Sequence, residues 1–299
     1  MVEELKKKFA GRDRVLHIIS KNGSFRAVAV RNTSTVQTAQ KVHNLDSISA
    51  YFLAKSMTSA TMISTFLKGE ERVIVEVMSD GFISKIYAEA LQVGECRGFV
   101  RHSPSNHQIT TLANILGSGH FKVTRILYNQ VEPIAGIIPL QEGDISTNLA
   151  YYFVQSEQIN SAVVLDVDFD DSDIISCSGG ILVQAMPGAL QEEIDAVIDS
   201  ITGMNKLCSE LETHLSLEDI LKNNLPFEFD IVKTKQLDFF CRCSLASFKS
   251  RLLLLEVAEI EDMREKEQNE LICQYCNKHY YLSESDFQEI IGQLKAQQN

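Results

Sequence analysis

Four cysteines in two close pairs are the residues of this chain best suited to chemistry. Cys241 and Cys243 form a CxC pair, and Cys273 and Cys276 form a CxxC pair after an interval of 29 residues. Zinc takes four ligands at the corners of a tetrahedron, and thiolate sulfur is among its preferred donors. Each pair can present two sulfurs to one side of a metal, and the interval is long enough to bring the pairs together. We therefore predict one Zn²⁺ per chain, bound by these four cysteines.

Several interpretations compete for these thiols. The site is either purely structural or also a sensor of oxidants, since the two cysteines of each pair are close enough to form a disulfide with each other. A thioredoxin-like site is disfavoured because that motif opens a helix after a strand, whereas Asn277 to Leu282 follows as a predicted strand. A disulfide framework is also disfavoured, since a chain of 299 residues needs no such cross-links.

Length and composition limit the functional classes. With 299 residues and 44% hydrophobic residues, the chain can bury a full core and is expected to hold more than one domain. Its 28 Lys and Arg against 40 Asp and Glu give a net charge of −12, which argues against nucleic acid as a partner. Residues 241–299 carry 7 basic against 10 acidic residues, so the cysteine segment does not change this conclusion.

The chain shows no pattern typical of membrane insertion or secretion. It has no run of 18 apolar residues, and Met1-Val2-Glu3-Glu4 lacks the basic start of a signal peptide. We expect a cytoplasmic protein, where reduced, paired cysteines are common as metal ligands. The remaining cysteines, Cys96, Cys177 and Cys208, stand alone in the sequence and are expected to be small buried side chains.

The first part of the chain, residues 1–187, is predicted to be an α+β domain on an antiparallel sheet. Asn22-Gly23 and Asp80-Gly81 are hairpin signals between β-type runs. Thr33 or Ser34 is expected to cap a helix ending near His43, and a second helix follows Ser47. A further helix is predicted at 145–157, and further strands at 96–101, 121–128, 131–138, 162–169 and 174–185.

Residues 188–236 are predicted to be an amphipathic helical linker. Gly203 interrupts the pattern and weakens a helix there by about 1 kcal/mol relative to alanine. A shorter helix is expected to begin at Ser216, with Asp219 as its capping partner, and to stop before Pro226. Apolar residues at spacings of three or four form an apolar stripe that either packs as core or is exposed conditionally: Leu190, Ile194, Val197, Ile198, Ile201, Met204, Cys208, Leu211 and Leu215.

Residues 237–299 are predicted to be a small C-terminal zinc-binding domain. Apolar positions between the cysteine pairs indicate one or two helices, and Ser285 with Gln288 predicts the cap of a terminal amphipathic helix. That helix has apolar residues at Phe287, Ile290, Ile291 and Leu294. Because the core is thin, zinc binding of about 10–16 kcal/mol is comparable with the whole stability of the domain.

Enzyme motifs are missing from the sequence. It contains no GxGxxG, P-loop, HExxH or GxSxG pattern, and we predict that the protein is not an enzyme. Gly179-Gly180 is expected to be a bulge or turn and not a phosphate-binding loop. His279 is the one histidine close enough to the cysteines to compete as a ligand, although four thiolates already complete a tetrahedron.

Together, the cysteine pattern and several flanking motifs resemble one known family over nearly the whole chain. The motifs are the CxC, the ending Cys-Gln-Tyr-Cys-Asn-x-x-Tyr, the segments YFVQSEQ (152–158), GGILVQAMPG (179–188) and KGE (68–70), and the hairpin at Asp80-Gly81. They resemble those of the redox-regulated bacterial holdase chaperones, the 33-kDa heat-shock protein family. The sequence departs from that family at Ser244 to Phe248, where a charged run is expected.

The resemblance implies a cytoplasmic stress protein that holds unfolding client proteins without ATP. It implies inactivity while the protein is reduced and zinc-bound. Hypochlorite, or peroxide with heat, would oxidise the cysteines to the disulfides Cys241–Cys243 and Cys273–Cys276, with zinc release, linker unfolding and formation of homodimers. The apolar stripe, Cys208 excepted, would belong to a linker that either masks the client-binding surface or becomes part of it.

Elementary chemistry supports such a switch. Zinc holds sulfur as thiolate, the form that oxidants attack. The metal joins the pairs across 29 residues, whereas a disulfide within a pair closes only a small ring and constrains the chain far less. The alternative is a constitutive zinc-stabilised interaction module with purely structural cysteines, which oxidation would only inactivate. A zinc enzyme ranks third, because it would need an open coordination position.

Overall fold

The computed structural model describes residues 11–104, 115–204, 206–213 and 215–297. The chain divides into two compact units, a first unit (Met1–Phe240) and a second unit (Cys241–Asn299). Both contain helices and strands, which confirms the predicted α+β class. Among the described residues, no helix combines the length and the apolar character needed to cross a membrane.

The strands and helices of the described ranges are numbered here in chain order. The strands are β1 (Arg14–Ser20), β2 (Phe25–Arg31), β3 (Arg72–Ser79), β4 (Ile83–Leu91), β5 (Glu95–His102), β6 (Gly119–Ile126), β7 (Ile134–Pro139), β8 (Ser161–Phe169), β9 (Ile175–Ala185), β10 (Phe229–Gln236), β11 (Asp238–Phe239), β12 (Glu270–Ile272) and β13 (His279–Tyr281). The helices are α1 (Thr33–His43), α2 (Ser47–Ser64), α3 (Ile145–Tyr152), α4 (Gln191–Thr202), α5 (Leu207–Glu212), α6 (Leu217–Asn224), α7 (Leu245–Leu252), α8 (Val257–Glu265) and α9 (Glu284–Gln297).

The first unit contains two sheets where the sequence predicted one. The first sheet has the strand order β10-β1-β2-β9-β8, with all neighbours antiparallel. The second has the order β11-β5-β4-β3-β6-β7, in which the short pairing of β11 with β5 is parallel. Both predicted hairpins are confirmed, since β1 pairs with β2 and β3 pairs with β4. Strand β10 was missed, because the sequence assigned it to the helical linker.

Helix α2 lies between the two sheets and contacts strands of both. Asp46 caps it by accepting a hydrogen bond from the Ser49 N–H at 2.8 Å. Glycines on the strands allow them to approach this helix closely: a Cβ on Gly98 would lie 2.9 Å from Leu53, and one on Gly180 2.9 Å from Thr58. Gly179 and Gly180 lie inside β9, and the bulge or turn expected at these two residues is not found there.

The start of α1 differs from the expected cap. Neither Thr33 nor Ser34 precedes the helix, because α1 already begins at Thr33. Instead the carboxylate of Asp13, just before β1, accepts from the N–H groups of Ser34 and Thr35 at 3.2 and 2.5 Å. A distant residue thus satisfies the N–H groups at the helix N-terminus, which local sequence could not reveal.

The helix predicted at 145–157 is α-helical only in its first part, since α3 ends at Tyr152 and continues as a π-helical turn over Phe153–Glu157.

The helices of the linker segment (residues 188–236) pack onto the face of the first sheet opposite α2, whereas its last residues form the edge strand β10 of that sheet. Side chains of β2 alternate between the two cores: Val28 and Val30 face α2, whereas Ala27 and Ala29 face the linker helices. The predicted stripe is not one helix, because α4 ends at Thr202 and α5 begins at Leu207. Its members are unequally buried: Ile194, Val197, Ile201, Cys208 and Leu211 are buried, Met204 and Leu215 partly buried, Leu190 65% exposed and Ile198 36% exposed.

Helix α6 begins as predicted. Ser216 caps it by accepting from the Asp219 N–H at 3.1 Å, and the helix ends at Asn224, before Pro226. Its residues Leu217, Ile220 and Leu221 complete the core under the linker segment.

The second unit has a small core of its own. Helices α7 and α8 confirm the predicted helical stretch between the cysteine pairs, and α9 buries its four predicted apolar residues. The cap of α9 is Ser283 with Asp286, and not Ser285 with Gln288: Ser283 Oγ accepts from the Asp286 N–H at 3.2 Å. The buried apolar residues are Leu252, Ile260, Leu282, Phe287, Ile290, Ile291 and Leu294.

Candidate metal centre

The four cysteines of the two pairs come from two short segments of the second unit. Cys241 and Cys243 precede α7, whose first turn is fixed by Ser244, since its Oγ accepts from the Ser247 N–H at 3.1 Å. This cap lies in the stretch that departs from the family pattern, and the serines there preserve a well-formed helix start. Cys241 and Cys243 therefore lie directly before a capped helix.

The other pair lies in a tight turn between β12 and β13. The Cys273 N–H donates to the Lys278 carbonyl at 3.0 Å, and the Asn277 N–H donates to the Cys273 carbonyl at 2.8 Å. Asn277 has φ of 51°, in the left-handed region that asparagine tolerates better than most residues. This turn directs Cys273 and Cys276 to the same side.

The sulfurs converge with the spacing of a four-thiolate metal site. All four Sγ atoms lie within 4.8 Å of one another. Cys241 Sγ is 3.6 Å from Cys273 Sγ, and Cys243 Sγ is 3.3 Å from Cys276 Sγ. Sulfurs bound tetrahedrally to zinc at about 2.3 Å would be about 3.8 Å apart. The donor set and its spacing therefore fit one tetrahedral metal ion, and each of the four predicted ligands is in the cluster.

Tyr280 is a further residue of the centre, which the sequence reasoning did not identify. Its hydroxyl lies 3.3 Å from Cys243 Sγ and donates to the Cys243 carbonyl at 2.9 Å. The ring of Phe248 packs against the Tyr280 ring with centroids 5.4 Å apart. A tyrosine four residues beyond the second pair, on the strand leaving the turn, is the signal that could have indicated it.

Electrostatics distinguish the sulfurs of Cys243 and Cys276. Burial tends to raise the pKa of Cys243, but hydrogen bonds from Tyr280 and the neighbouring thiols outweigh it and lower the pKa to about 7. Burial, together with the hydrogen bond to Cys243, raises the pKa of Cys276. A cation held among the four sulfurs would oppose that rise, because it favours thiolate at every ligand.

His279 is not part of this cluster. Its Nδ1 lies 2.7 Å from Glu270 Oε1, on the exposed face of the β12–β13 hairpin. The sequence treated this histidine as a competing ligand, and its pairing with Glu270 removes it from that role.

Comparisons with known proteins give matches over most of the chain. The model of the Hsp33 protein family matches residues 13–283. The 33 kDa chaperonin of Streptococcus agalactiae serotype Ia is 33% identical over 288 residues, which cover 94% of this chain and 98% of the relative. The 33 kDa chaperonin of Streptococcus mutans serotype c is 32% identical over 287 residues, covering 94% of this chain and 99% of that one.

A solved structure agrees with the fold. The crystal structure of the 33 kDa chaperonin from Thermotoga maritima superposes with a TM-score of 0.84 at 26% identity, covering 96% of this chain and 99% of that one. The match confirms the resemblance inferred from the cysteine spacing and flanking motifs, and with it a chaperone class instead of an enzyme class. The chain belongs to the Hsp33 family of chaperones.

Proposed function

We propose that this protein is a redox-regulated, ATP-independent holdase of the cytoplasm. It is inactive while reduced and zinc-bound. Oxidation of the four cysteines to the disulfides Cys241–Cys243 and Cys273–Cys276 releases zinc, unfolds the linker segment and allows homodimers to form. The observation that carries the proposal is the convergence of four sulfurs, within 4.8 Å, from two segments separated by 29 residues in a chain of a chaperone family.

The first step depends on how little else holds the second unit together. Its core consists of seven buried apolar side chains. Structural zinc contributes about 10–16 kcal/mol of apparent binding free energy, which is comparable with the net stability of a typical domain at about 5–15 kcal/mol. Loss of the metal therefore unfolds much of this unit. We propose residues 1–187 as the first domain, 188–236 as the linker and 237–299 as the switch domain, although β11 within the last range pairs with β5 of the first unit.

The second step depends on which sulfurs pair. All four are within reach of one another, so the reduced geometry permits bonds within a pair or between pairs. Bonds between pairs would preserve the long-range connection that the metal provides. Bonds within a pair remove it, because each closes only a few atoms. The proposed activation requires the second outcome.

The third step exposes two complementary apolar surfaces. The linker helices bury residues such as Ile194, Ile201 and Leu211 against a face of the first sheet that includes Leu16 and Ile181. When the linker unfolds, its own apolar residues and that sheet face both become accessible. Contiguous apolar surface of this kind binds unfolded chains, and its burial needs no nucleotide. The net charge of −12 disfavours nucleic acid as a competing partner.

The cytoplasmic assignment follows from the same chemistry. The resting protein requires four thiols that are kept reduced between stresses, which the cytoplasm provides. Unfolding client proteins are the proposed partners, and the homodimer is the proposed active form.

Zinc release and chaperone activity, measured on one sample, test the proposal. Full-length, zinc-loaded protein is titrated with hypochlorite while a chromogenic chelator reports zinc and light scattering reports aggregation of an unfolding client. We expect about one zinc per chain to be released, and scattering to be suppressed only after release and to return after treatment with dithiothreitol. Cys96→Ala, a change of a buried cysteine outside the centre, serves as the matched control.

Zinc loss without any gain in anti-aggregation activity would contradict the proposal. Strongest binding by the reduced protein would instead support a constitutive interaction module with structural cysteines.

A further inference from the structure

A second pair of cysteines lies where the linker segment crosses the first sheet. Cys177 is on β9 and Cys208 on α5, and they are 3% and 0% exposed. The Cys177 thiol donates to the Cys208 carbonyl, with Sγ 3.8 Å from the oxygen. Burial of both residues was predicted from the sequence, but their isolation was not confirmed, since the fold makes them neighbours.

The surrounding contacts hold α5 directly over this part of β9. Asp166 accepts from the Cys208 N–H at 2.9 Å, and the Arg31 guanidinium donates to the Leu211 carbonyl at the other end of α5. Gly179 lies two residues from Cys177, on the same face of the strand. It is so close to α5 that a Cβ on Gly179 would lie 2.7 Å from Leu211 Cδ1. The two cysteines are thus fixed by several independent contacts.

The pair is unreactive while the linker segment is packed. The neighbouring Cys177 thiol, and then burial, raise the pKa of Cys208, so this thiol stays protonated. An oxidant reaches either sulfur only when α5 opens briefly. When α5 packs again on β9, the oxidised sulfur of one cysteine lies next to the thiol of the other.

We propose that Cys177 and Cys208 form an intramolecular disulfide under oxidant stress, and that this bond fastens α5 to β9. With hypochlorous acid, one thiol is converted to a sulfenyl chloride and water leaves. The sulfur of the second thiol then displaces chloride and loses its proton as the S–S bond forms. The two thiols lose two electrons and two protons, and one hypochlorous acid is reduced to chloride and water.

This bond differs in its effect from those proposed at the metal centre. It joins segments separated by 30 intervening residues and encloses α4 in the resulting loop, so it constrains the chain far more than a bond within a CxC or CxxC pair. For the proposed holdase, on which this consequence rests, it keeps α5 on β9 while the rest of the linker unfolds. Oxidant dose would then set how much apolar surface is exposed.

Peptide mapping under non-reducing conditions tests the bond on the full-length, zinc-loaded protein. After hypochlorite treatment, free thiols are blocked under denaturing conditions and the monomer is digested with trypsin. Cleavage after Lys206 separates the cysteines, because residues 126–206 contain only Cys177 and residues 207–222 only Cys208. We expect these two peptides to be recovered linked, and to separate after reduction. Cys208→Ala should abolish the link, whereas Cys96→Ala should leave it intact.

Hydrogen exchange on the same samples tests the consequence. The α5 amides should stay at least tenfold better protected in the oxidised parent than in oxidised Cys208→Ala. Recovery of Cys177 and Cys208 as blocked thiols after the metal-centre cysteines are fully oxidised would overturn the inference, as would links between two chains. The same map reports the metal-centre bonds separately, so failure of one set is distinguishable from failure of the other.

Discussion

The hydroxyl of Tyr280 contacts both the sulfur and the carbonyl oxygen of Cys243, at 3.3 and 2.9 Å. Groups that hydrogen-bond a metal ligand orient it and commonly account for about 10- to 100-fold in metal affinity. We predict that Tyr280→Phe weakens zinc binding by about tenfold, measured by competition with a chelator in the reduced protein. Tyr281→Phe is the matched control, because its hydroxyl bonds Glu270 Oε1 at 2.8 Å instead. Equal zinc affinity in the two variants would contradict this role.

Lys55 and Asp144 form an ion pair that is largely buried in the first unit. Burial alone would raise the pKa of Asp144, but Lys55 and hydrogen bonds from Thr147 and Tyr51 outweigh it and lower that pKa. The pair's stabilising effect is therefore full above the ordinary carboxyl pKa of about 3.9, and is lost as the pH falls through the lower folded value.

Asp144→Asn tests this pair, because asparagine can still cap α3 but leaves the Lys55 ammonium without its counter-charge. We predict a loss of about 3 kcal/mol in the free energy of unfolding at pH 7, measured in urea. The difference between parent and variant should shrink as the pH is lowered below about 4. A difference that stays constant down to pH 3 would contradict the electrostatic explanation.

The centre shows what residue types alone can predict. Four ligands followed directly from cysteine spacing, since metal geometry limits which spacings work. Tyr280 could not be assigned, because its contact with Cys243 depends on the path of the chain between the two pairs. The hydrogen-bonded pair Cys177 and Cys208 was missed for the same reason: the residues meet only when α5 packs on β9.

Among the elements, the close contact between α5 and β9 offers a direct test of what holds the linker segment on the first sheet. A Cβ on Gly179 would lie 2.6 Å from the Val30 carbonyl and 2.7 Å from Leu211 Cδ1, and the strand pairing prevents Val30 from moving away. We predict that Gly179→Ala lowers the free energy of unfolding by about 1–3 kcal/mol. It should also raise binding of a hydrophobic dye by the reduced protein, because α5 is displaced.

Gly292→Ala is the control for this change. Gly292 lies within α9, where an added Cβ would meet no described atom within 4 Å, and alanine favours a helix over glycine by about 1 kcal/mol. We expect no loss of stability in this variant. Unchanged stability and dye binding in Gly179→Ala would show that α5 does not depend on this close approach.

Elements with local signals were predicted well, and those that depend on distant partners were not. The turns at Asn22-Gly23 and Asp80-Gly81 carry their own conformational preference, so both hairpins were found. Strand β10 has mostly exposed side chains and pairs with β1 from more than 200 residues away, so no periodic pattern marks it. The division into two sheets, and the cap that Asp13 supplies to α1, likewise depend on long-range contacts.

For the whole molecule, the two units should respond differently to loss of metal. The first unit has two extended apolar cores, whereas the second has seven buried apolar residues and the cysteine cluster. We predict that chelation under reducing conditions removes amide protection from most of residues 241–297, while β2, β9 and α2 remain protected. Hydrogen exchange measures this, and readdition of zinc should restore the protection. Full protection of the second unit without metal would show that zinc is not its main stabilising contribution.

The connectivity of the disulfides in the oxidised protein tests the central claim most directly. Non-reducing peptide mapping after stoichiometric hypochlorite, with zinc measured on the same sample, identifies which sulfurs have paired. We predict bonds Cys241–Cys243 and Cys273–Cys276, together with loss of the metal. Bonds Cys241–Cys273 and Cys243–Cys276 would instead join sulfurs that lie 3.6 and 3.3 Å apart in the reduced protein. Finding those bonds would contradict the account, because they would keep the two segments tied together.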